Sequence, residues 1–323
     1  QSQVYSIAQG PDGTLYFGTL GGGISVFNGQ KFENLTTREG LIDNAAYVLF
    51  TDSRGSIWVG TGAGLSRYIP PLPLNSKDFS ISNSKGRFIN YPVETGLLRK
   101  RVMAIHEDLK GNIWVGTYGG ISMLPTENIS ASEKPGFDFS KNQNLFRNFT
   151  MREELLDSVV SGIQRDNAGN MYFITRRGIN KLNYLKRKEN VSSESGKAVI
   201  YFNKITDKDG LADYRVLSHC KDNLGNLWFL TPKGMSKLDP SASQSLGRPV
   251  IKNYFSEDKR VFSRNNYCLV QDKKANFWAG TVDAGMFKLQ PDDNTQSVNI
   301  IDNITARNGL PTDFVWEIFE DRE

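Results

Sequence analysis

The feature that most constrains this chain is a short unit that occurs six times in register. In each copy a glycine is followed after three residues by an aromatic residue, and after three more by a threonine; Ala275 replaces the glycine in the last copy. The six triplets are Gly13/Tyr16/Thr19, Gly55/Trp58/Thr61, Gly111/Trp114/Thr117, Gly169/Tyr172/Thr175, Gly225/Trp228/Thr231 and Ala275/Trp278/Thr281. The steps between successive aromatic residues are 42, 56, 58, 56 and 50 residues, which is typical of a repeat fold with loops of variable length.

Each copy predicts four short strands, which we name A to D. An apolar segment closed by Asp-x-x-Gly, such as the one from Val102 to Gly111, predicts strand A and a turn in which the aspartate caps its own backbone. The aromatic and branched segment that follows predicts strand B, and a short glycine turn leads to strand C. In the first copy Asn28-Gly29 predicts a hairpin between C and D. Strand D is predicted at 32–35, 88–91, 146–149, 199–202, 251–254 and 300–303.

Four antiparallel strands at this spacing predict a blade of a β-propeller. We therefore expect an all-β fold with six complete four-stranded blades and the first strand of a seventh. The predicted blades of this single propeller, residues 1–323, are 1–41, 42–97, 98–155, 156–211, 212–261 and 262–310, with a partial seventh at 311–323. Val315 opens the seventh copy at the phase at which Val4 opens the first. Rings of six and of seven blades both fit this pattern, and we favour seven blades in a longer parent protein.

Composition excludes several classes of function. The chain is 38% hydrophobic and 23% charged, which is typical of a globular protein. A net charge of +4 is mild for 323 residues, so we expect no nucleic acid partner. No apolar run approaches the roughly 18 residues of a membrane helix, so membrane attachment would require a helix that this chain lacks.

Residue types that carry chemistry are few. We interpret Cys220 and Cys268 as two isolated buried thiols, because two cysteines make neither a disulfide scaffold nor a cysteine metal site. His106 and His219 are predicted within strand A and away from the loops. The repeated aspartates and aromatic residues are more typical of turn caps and of packing between sheets than of acid catalysis or ligand stacking. We expect no metal and no cofactor.

The loops differ between the two ends of the predicted blades. In a propeller the D-to-A and B-to-C connections share one face. In this chain they are rich in basic and tyrosine side chains, which would suit an acidic oligosaccharide because arginine grips carboxylates bidentately. The candidate ligand-binding residues are Arg99, Arg101, Tyr118, Arg176, Arg177, Tyr214, Arg215, Lys233, Arg264 and Asp283. The opposite face carries long C-to-D inserts at 69–87, 125–145, 183–198 and 239–249, which are polar and predicted to be solvated loops.

The unit V-x-x-I-x-x-D-x-x-G-N-x-W-x-G-T-x-x-G-φ-S, followed by a Gly-Leu step, resembles the two-component regulator propeller repeat. The tryptophans that carry the match are Trp58, Trp114, Trp228 and Trp278, and the turn aspartates are Asp52, Asp108, Asp166, Asp222, Asp272 and Asp321. The resemblance implies an extracytoplasmic, periplasmic sensor region of a hybrid two-component regulator, which binds oligosaccharides and signals through a membrane helix to a histidine kinase. It further implies adjoining sensor domains of the same protein. A homodimer is a separate candidate partner, and the sequence leaves the oligomeric state open. The matched residues belong to the scaffold, so the resemblance assigns no binding residue.

Three functions are weighed on these grounds. The first is a non-catalytic sensor propeller that recognises an oligosaccharide, and the second is a protein-interaction propeller whose inserts form the contact surface. The third is a propeller lyase or hydrolase, since the segment Gln9-Gly10-Pro11-Asp12-Gly13-Thr14-Leu15-Tyr16-Phe17 is similar to a blade of streptogramin lyases. An enzyme is the least favoured of the three, because neither histidine is predicted in a face loop where it could serve as a base.

Overall fold

One four-stranded antiparallel sheet forms in each of the six repeats, with the strands in sequence order. The computed structural model describes residues 3–71, 86–185, 199–262 and 266–322. The first sheet contains β1 (Val4–Gln9), β2 (Leu15–Thr19), β3 (Gly23–Phe27) and β4 (Phe32–Leu35). The second contains β5 (Ala46–Thr51), β6 (Ile57–Thr61), β7 (Gly64–Ile69) and β8 (Arg87–Pro92). The third contains β9 (Val102–Glu107), β10 (Ile113–Thr117), β11 (Gly120–Leu124) and β12 (Arg147–Phe149).

The remaining three sheets repeat this order. The fourth contains β13 (Val160–Arg165), β14 (Met171–Thr175), β15 (Gly178–Leu185) and β16 (Val199–Ile205). The fifth contains β17 (Ser218–Lys221), β18 (Leu227–Thr231), β19 (Gly234–Leu238) and β20 (Ile251–Tyr254). The sixth contains β21 (Asn266–Gln271), β22 (Phe277–Thr281), β23 (Met286–Asp292) and β24 (Ser297–Ile304). The prediction of an all-β fold with six complete four-stranded blades is confirmed.

The turn between the first two strands of each sheet is built by the repeated aspartate. In the third sheet Asp108 Oδ1 accepts hydrogen bonds from the backbone N–H groups of Lys110 and Asn112, at 2.9 and 3.0 Å. Gly111 in the same turn has φ +76°, a left-handed conformation that glycine adopts without steric cost. The predicted aspartate cap is confirmed.

The second oxygen of the same carboxylate has a role that the sequence analysis did not foresee. Asp108 Oδ2 accepts a hydrogen bond of 2.8 Å from the indole nitrogen of the buried Trp114. The same bond, at 2.8 to 2.9 Å, joins the pairs Trp58/Asp52, Trp228/Asp222 and Trp278/Asp272. One side chain therefore closes the turn and also satisfies the polar atom of the main packing residue, which would be costly to bury unpaired.

The chain divides into two compact units, the first formed by residues 1–148 and 315–323 and the second by residues 149–314. In the first unit, Tyr16 and Ile57 belong to an apolar cluster between the first and second sheets. Trp58 and Val115 belong to a cluster between the second and third sheets. The strand-B residues therefore form packing layers between sheets, as predicted.

The second unit is packed in the same way. Tyr172 and Phe229 belong to a cluster formed by the fourth and fifth sheets. Trp228 and Phe277 belong to a cluster formed by the fifth and sixth sheets, and their ring centroids are 4.5 Å apart. Cys220 and Cys268 are buried and form no disulfide within the described residues, in agreement with the interpretation as buried thiols.

The prediction that the long inserts are solvated loops is wrong for residues 125–145. This insert contains helix α1 (Thr126–Ser132), in which Ile129 and Ser132 are buried. The Ser132 hydroxyl lies 2.6 Å from the hydroxyl of Tyr91 in β8, and Glu133 forms an ion pair with the buried Arg67 of β7. The insert is therefore packed on the second sheet, because it carries its own apolar residues among the polar ones.

Another insert, at 239–249, forms helix α2 (Pro240–Leu246), which Asp239 caps through a 2.9 Å bond from the N–H of Ala242. In the insert at 183–198, β15 continues to Leu185 and residues 186–198 lie outside the described part of the chain. Most of the insert at 69–87 also lies outside it.

The seventh repeat is partial. Residues 315–322 are not assigned as a strand, but they lie beside β1, where Trp316 stacks on Tyr5 with ring centroids 4.9 Å apart. The backbone N–H of Arg322 donates to Gln9 Oε1 at 3.2 Å. In each complete sheet the first strand pairs with the second strand of its own repeat, a partner that the seventh copy does not have in this chain.

In the described residues, no helix has the length and apolar character needed to cross a membrane.

Candidate functional site

A row of aromatic side chains and one arginine lies in the first unit, and we call it the aromatic row: Trp316, Tyr5, Tyr47, Arg101 and Tyr118. Beyond the stacked pair of Trp316 and Tyr5, Tyr5 meets Tyr47 edge to face, with centroids 5.7 Å apart. The Arg101 guanidinium then lies over two rings, 4.3 Å from the centroid of Tyr47 and 5.7 Å from that of Tyr118. The structure thus brings two predicted site residues, Arg101 and Tyr118, into contact.

The repeat places this row. Tyr5, Tyr47 and Trp316 each follow the residue that opens strand A in their copies, so they occupy equivalent positions. Arg101 comes directly before β9, and Tyr118 comes directly after β10 in the turn between strands B and C. These positions belong to the connections that we predicted to share one face of the blades. The three aromatic residues were not predicted, although the repeat register carries the signal for them.

The end of the row formed by Arg101 and Tyr118 is exposed and carries positive charge, whereas Tyr5, Tyr47 and Trp316 are half-buried. Arg99, Lys100 and Arg101 are all exposed, as is Tyr118 at 38%. Arg99 lies against the B-to-C turn, because a Cβ atom at Gly119 would be 3.0 Å from its Cγ. Aromatic faces and guanidinium donors together can hold a ligand that has both an apolar face and oxygen acceptors.

A second group of predicted residues meets in the second unit around a residue that sequence reasoning missed, Asp213. This carboxylate is 1% exposed and forms ion pairs with Arg215, at 3.2 Å, and with Lys233, at 3.4 Å. Burial opposes ionisation, but the hydrogen bonds and charge of Arg215, together with the charge of Lys233, lower the pKa of Asp213. The exposed Tyr214 lies under the Arg215 guanidinium, 5.6 Å from it. Much of the positive charge predicted here is therefore neutralised by a buried partner.

Asp213 occupies a position of the repeat at which two other copies also have an aspartate. Asp43, Asp157 and Asp213 lie three residues before the start of strand A in their copies, and each accepts a bond from the backbone N–H two residues later. In the third copy this position is Arg99, so the loop next to the aromatic row has a cation where other loops have an anion.

Two predicted residues of the B-to-C turns, Arg176 and Arg177, are exposed in the turn after β14. Asp283 is exposed in the turn after β22. Arg264 lies outside the described residues. No group of three or more histidine, cysteine or acidic side chains able to hold a metal ion occurs among the residues that the structure covers.

Comparison with known proteins gives a family match and a set of similar folds. Residues 40–63 match the family model described as two component regulator propeller. No curated protein sequence matches the chain. Among solved structures, PorZ, a surface component of the type-IX secretion system of Porphyromonas gingivalis, is 16% identical over 98% of this chain and 43% of its own, with a TM-score of 0.64. Virginiamycin B lyase from Staphylococcus aureus, a catalytically inactive variant with quinupristin, is 13% identical over 93% of this chain and 84% of its own, with a TM-score of 0.58.

The extracellular domain of BT3049 from B. thetaiotaomicron, described as a hybrid two component system, is 21% identical over 87% of this chain and 38% of its own, with a TM-score of 0.46. The chain thus spans less than half the length of the PorZ and BT3049 structures. At these identities the similarity concerns the fold.

The beta-propeller domain of Cps50 (Swd1) from Myceliophteria thermophila is 8% identical over 86% of this chain and 80% of its own, with a TM-score of 0.53. Together with the six four-stranded sheets, this similarity defines the class of protein as a β-propeller. Residues 40–63 match the two-component regulator propeller repeat, so the resemblance inferred from the sequence is confirmed.

Proposed function

We propose that this chain is a non-catalytic, extracytoplasmic sensor propeller of a hybrid two-component regulator, which takes part in recognising an oligosaccharide. The proposal places the propeller in the periplasm and its output in a histidine kinase elsewhere in the same protein. The two-component regulator propeller repeat at residues 40–63 supports the sensor role. The aromatic row supports the class of ligand.

The observation that carries the proposal is the contact of Arg101 with Tyr47 and Tyr118 on an exposed surface. Sugar rings present C–H groups on one face and hydroxyl oxygens at the edge. Tyrosine and tryptophan faces can pack on the first, and an arginine can donate to the second or to a carboxylate. The neighbouring Arg99 adds a second cation, which favours an acidic sugar.

A propeller that binds another protein is the alternative. The adjoining sensor domains of the same protein and a second copy of this chain are the partners that such a surface would contact. A large exposed apolar residue such as Phe32, which is 65% exposed in β4, fits this alternative better than it fits a sugar.

An enzyme is the least favoured reading. A histidine-to-alanine variant of virginiamycin B lyase is catalytically inactive. In this chain His106 lies in β9, where its Nδ1 is 2.9 Å from the carbonyl oxygen of Glu107, and His219 lies in β17. Neither histidine is part of a loop at the aromatic row.

The test is calorimetric titration of the purified chain with neutral and uronic-acid oligosaccharides. We expect saturable binding that Tyr47→Ala and Arg101→Ala each weaken about tenfold, since each removes a contact of about 1–2 kcal/mol. Arg54→Ala is the matched control, because Arg54 is exposed in an A-to-B turn of the same unit. Binding that survives both substitutions would exclude the aromatic row, and turnover of a bound sugar would exclude a purely binding role.

A further inference from the structure

A separate cavity lies in the second unit, between the fourth and fifth sheets, with a volume of about 440 Å³. Side chains of β14, β15 and β16 form one wall. Residues of α2 and of its connection to β20, together with Leu238 at the end of β19, form the other. The volume lies within the range of small-molecule sites. None of the residues that line it belongs to the aromatic row or to the Asp213 group.

Three cations line this cavity, Lys181 from β15, Lys204 from β16 and Arg248 from the connection after α2. No described residue forms an ion pair with any of them, whereas Arg215 and Lys233 elsewhere in the unit are paired with Asp213. The one acidic side chain of the lining is the exposed Glu154. Three positive charges and one negative charge leave a net charge of +2, which favours an anionic ligand.

The rest of the lining suits a ring that carries hydroxyl groups. Asn183 and Gln244 supply amide donors and acceptors. Phe202 and Leu238 are buried side chains of the lining and supply an apolar floor. Lys181 is held beside this floor, with its ammonium 5.5 Å from the centre of the Tyr172 ring. A compact inorganic anion would use the charges and make no contact with the apolar floor.

We infer that this cavity is a binding site for a small sugar acid, a ring-sized polyhydroxylated carboxylate. The carboxylate binds the three cations, the hydroxyl groups bind the amides, and one ring face packs on the apolar floor. The site shares no residue with the aromatic row, so an experiment can refute one of the two binding proposals without refuting the other.

The test is titration of the purified chain with sodium galacturonate, with galactose, acetate and inorganic phosphate as comparison ligands. We expect saturable galacturonate binding that is at least about tenfold tighter than that of the other three, since a charged hydrogen-bonding group is worth about one order of magnitude in affinity. Arg248→Gln and Lys204→Met each weaken galacturonate binding about tenfold, and Glu154→Gln strengthens it by removing a repulsive charge.

Lys288→Met is the matched control. Lys288 lies over Trp278 at 5.4 Å, as Lys181 lies over Tyr172, but it is not part of the cavity. Galacturonate binding in this variant stays at the level of the unmodified chain. No binding up to about 10 mM, a weak affinity for a built site, would overturn the inference. Equal binding of phosphate or acetate would also overturn it, as would an affinity that Arg248→Gln and Lys204→Met leave unchanged. Variants Tyr47→Ala and Arg101→Ala leave this binding intact, which separates it from the proposed function of the aromatic row.

Discussion

At the scale of single residues, the repeated aspartate does two things with one carboxylate. Oδ1 of Asp222 accepts from backbone N–H groups of its turn, and Oδ2 accepts from the indole of Trp228 at 2.8 Å. The turn that ends strand A and the aromatic layer of strand B are therefore joined by a side chain. This explains why the two residue types recur six positions apart in four copies.

Replacing this aspartate should destabilise the fold strongly. Asp222→Ala removes a turn cap and leaves a buried indole N–H without its acceptor, so we expect a loss of about 2–4 kcal/mol in the free energy of unfolding. Urea unfolding monitored by tryptophan fluorescence measures it. Asp12→Ala is the control, because Asp12 bonds only within its exposed turn, to Thr14, and should cost at most about 1 kcal/mol. Equal losses in the two variants would contradict the double role.

A glycine at position 275 should stabilise the protein. Ala275 replaces the turn glycine of the sixth copy and still adopts φ +64°, a left-handed conformation that strains a residue with a Cβ atom. Ala275→Gly should therefore raise the free energy of unfolding by about 0.5–1 kcal/mol, even after the larger backbone entropy of glycine in the unfolded chain. Thermal unfolding should show a higher Tm, and an unchanged or lower Tm would contradict the strain.

At the scale of elements, the segment from Val315 to Arg322 is held by contacts to β1 and not by a strand partner of its own repeat. It brings Glu317 into a partly buried position, where burial raises the pKa of that carboxyl to about 8. In the unfolded chain the same group would titrate near 4.5.

The stability of the protein should therefore depend on pH through Glu317. Between about pH 4.5 and about pH 8 the folded state holds a proton that the unfolded state has released. The free energy of unfolding should fall as pH rises through this window, and be unaffected by this group below it. Glu317→Gln cannot ionise and should not show this part of the decline. Its free energy of unfolding should therefore exceed that of the unmodified chain by an amount that grows from about pH 4.5 to about pH 8. Denaturation at a series of pH values measures this, and Glu320→Gln is the control in the same segment. Parallel curves of the free energy of unfolding against pH for Glu317→Gln and the unmodified chain would refute the prediction.

At the scale of the whole molecule, the fold is a series of similar sheets whose apolar clusters each join neighbouring sheets within a unit. Stability in such proteins is approximately a sum of the repeats and the interfaces between adjacent repeats. A destabilising substitution in one repeat should then lower the local stability mainly of that repeat and of its neighbours.

Hydrogen exchange should show this locality. In Asp222→Ala, backbone amides of β17–β20 should exchange faster, and those of β21–β24, which share an apolar cluster with them, should follow to a smaller extent. The amides of β1–β4 should keep the rates of the unmodified chain. A uniform increase in all six sheets would show instead that the chain unfolds as a single cooperative unit.

Much of the scaffold is determined by the sequence alone. The constant offsets within each copy predict the turns and the strand order, and strand D of the first and fifth sheets has the predicted bounds, Phe32–Leu35 and Ile251–Tyr254. This succeeds because strand alternation, the aspartate cap and the positive φ of glycine are local properties, set within fewer than fifteen residues. The predicted strands are too short where pairing continues past the pattern, as in Ser297–Ile304, for which 300–303 was predicted.

Only the tertiary structure decided which side chains meet. The repeat register places Tyr5, Tyr47 and Trp316 at equivalent positions, but only the packing of the sheets shows that they form one row with Arg101. The same holds for the burial of α1 on the second sheet and for the cavity in the second unit, whose walls come from different repeats. These features depend on how whole sheets pack on one another, and therefore on contacts between residues that are far apart in sequence.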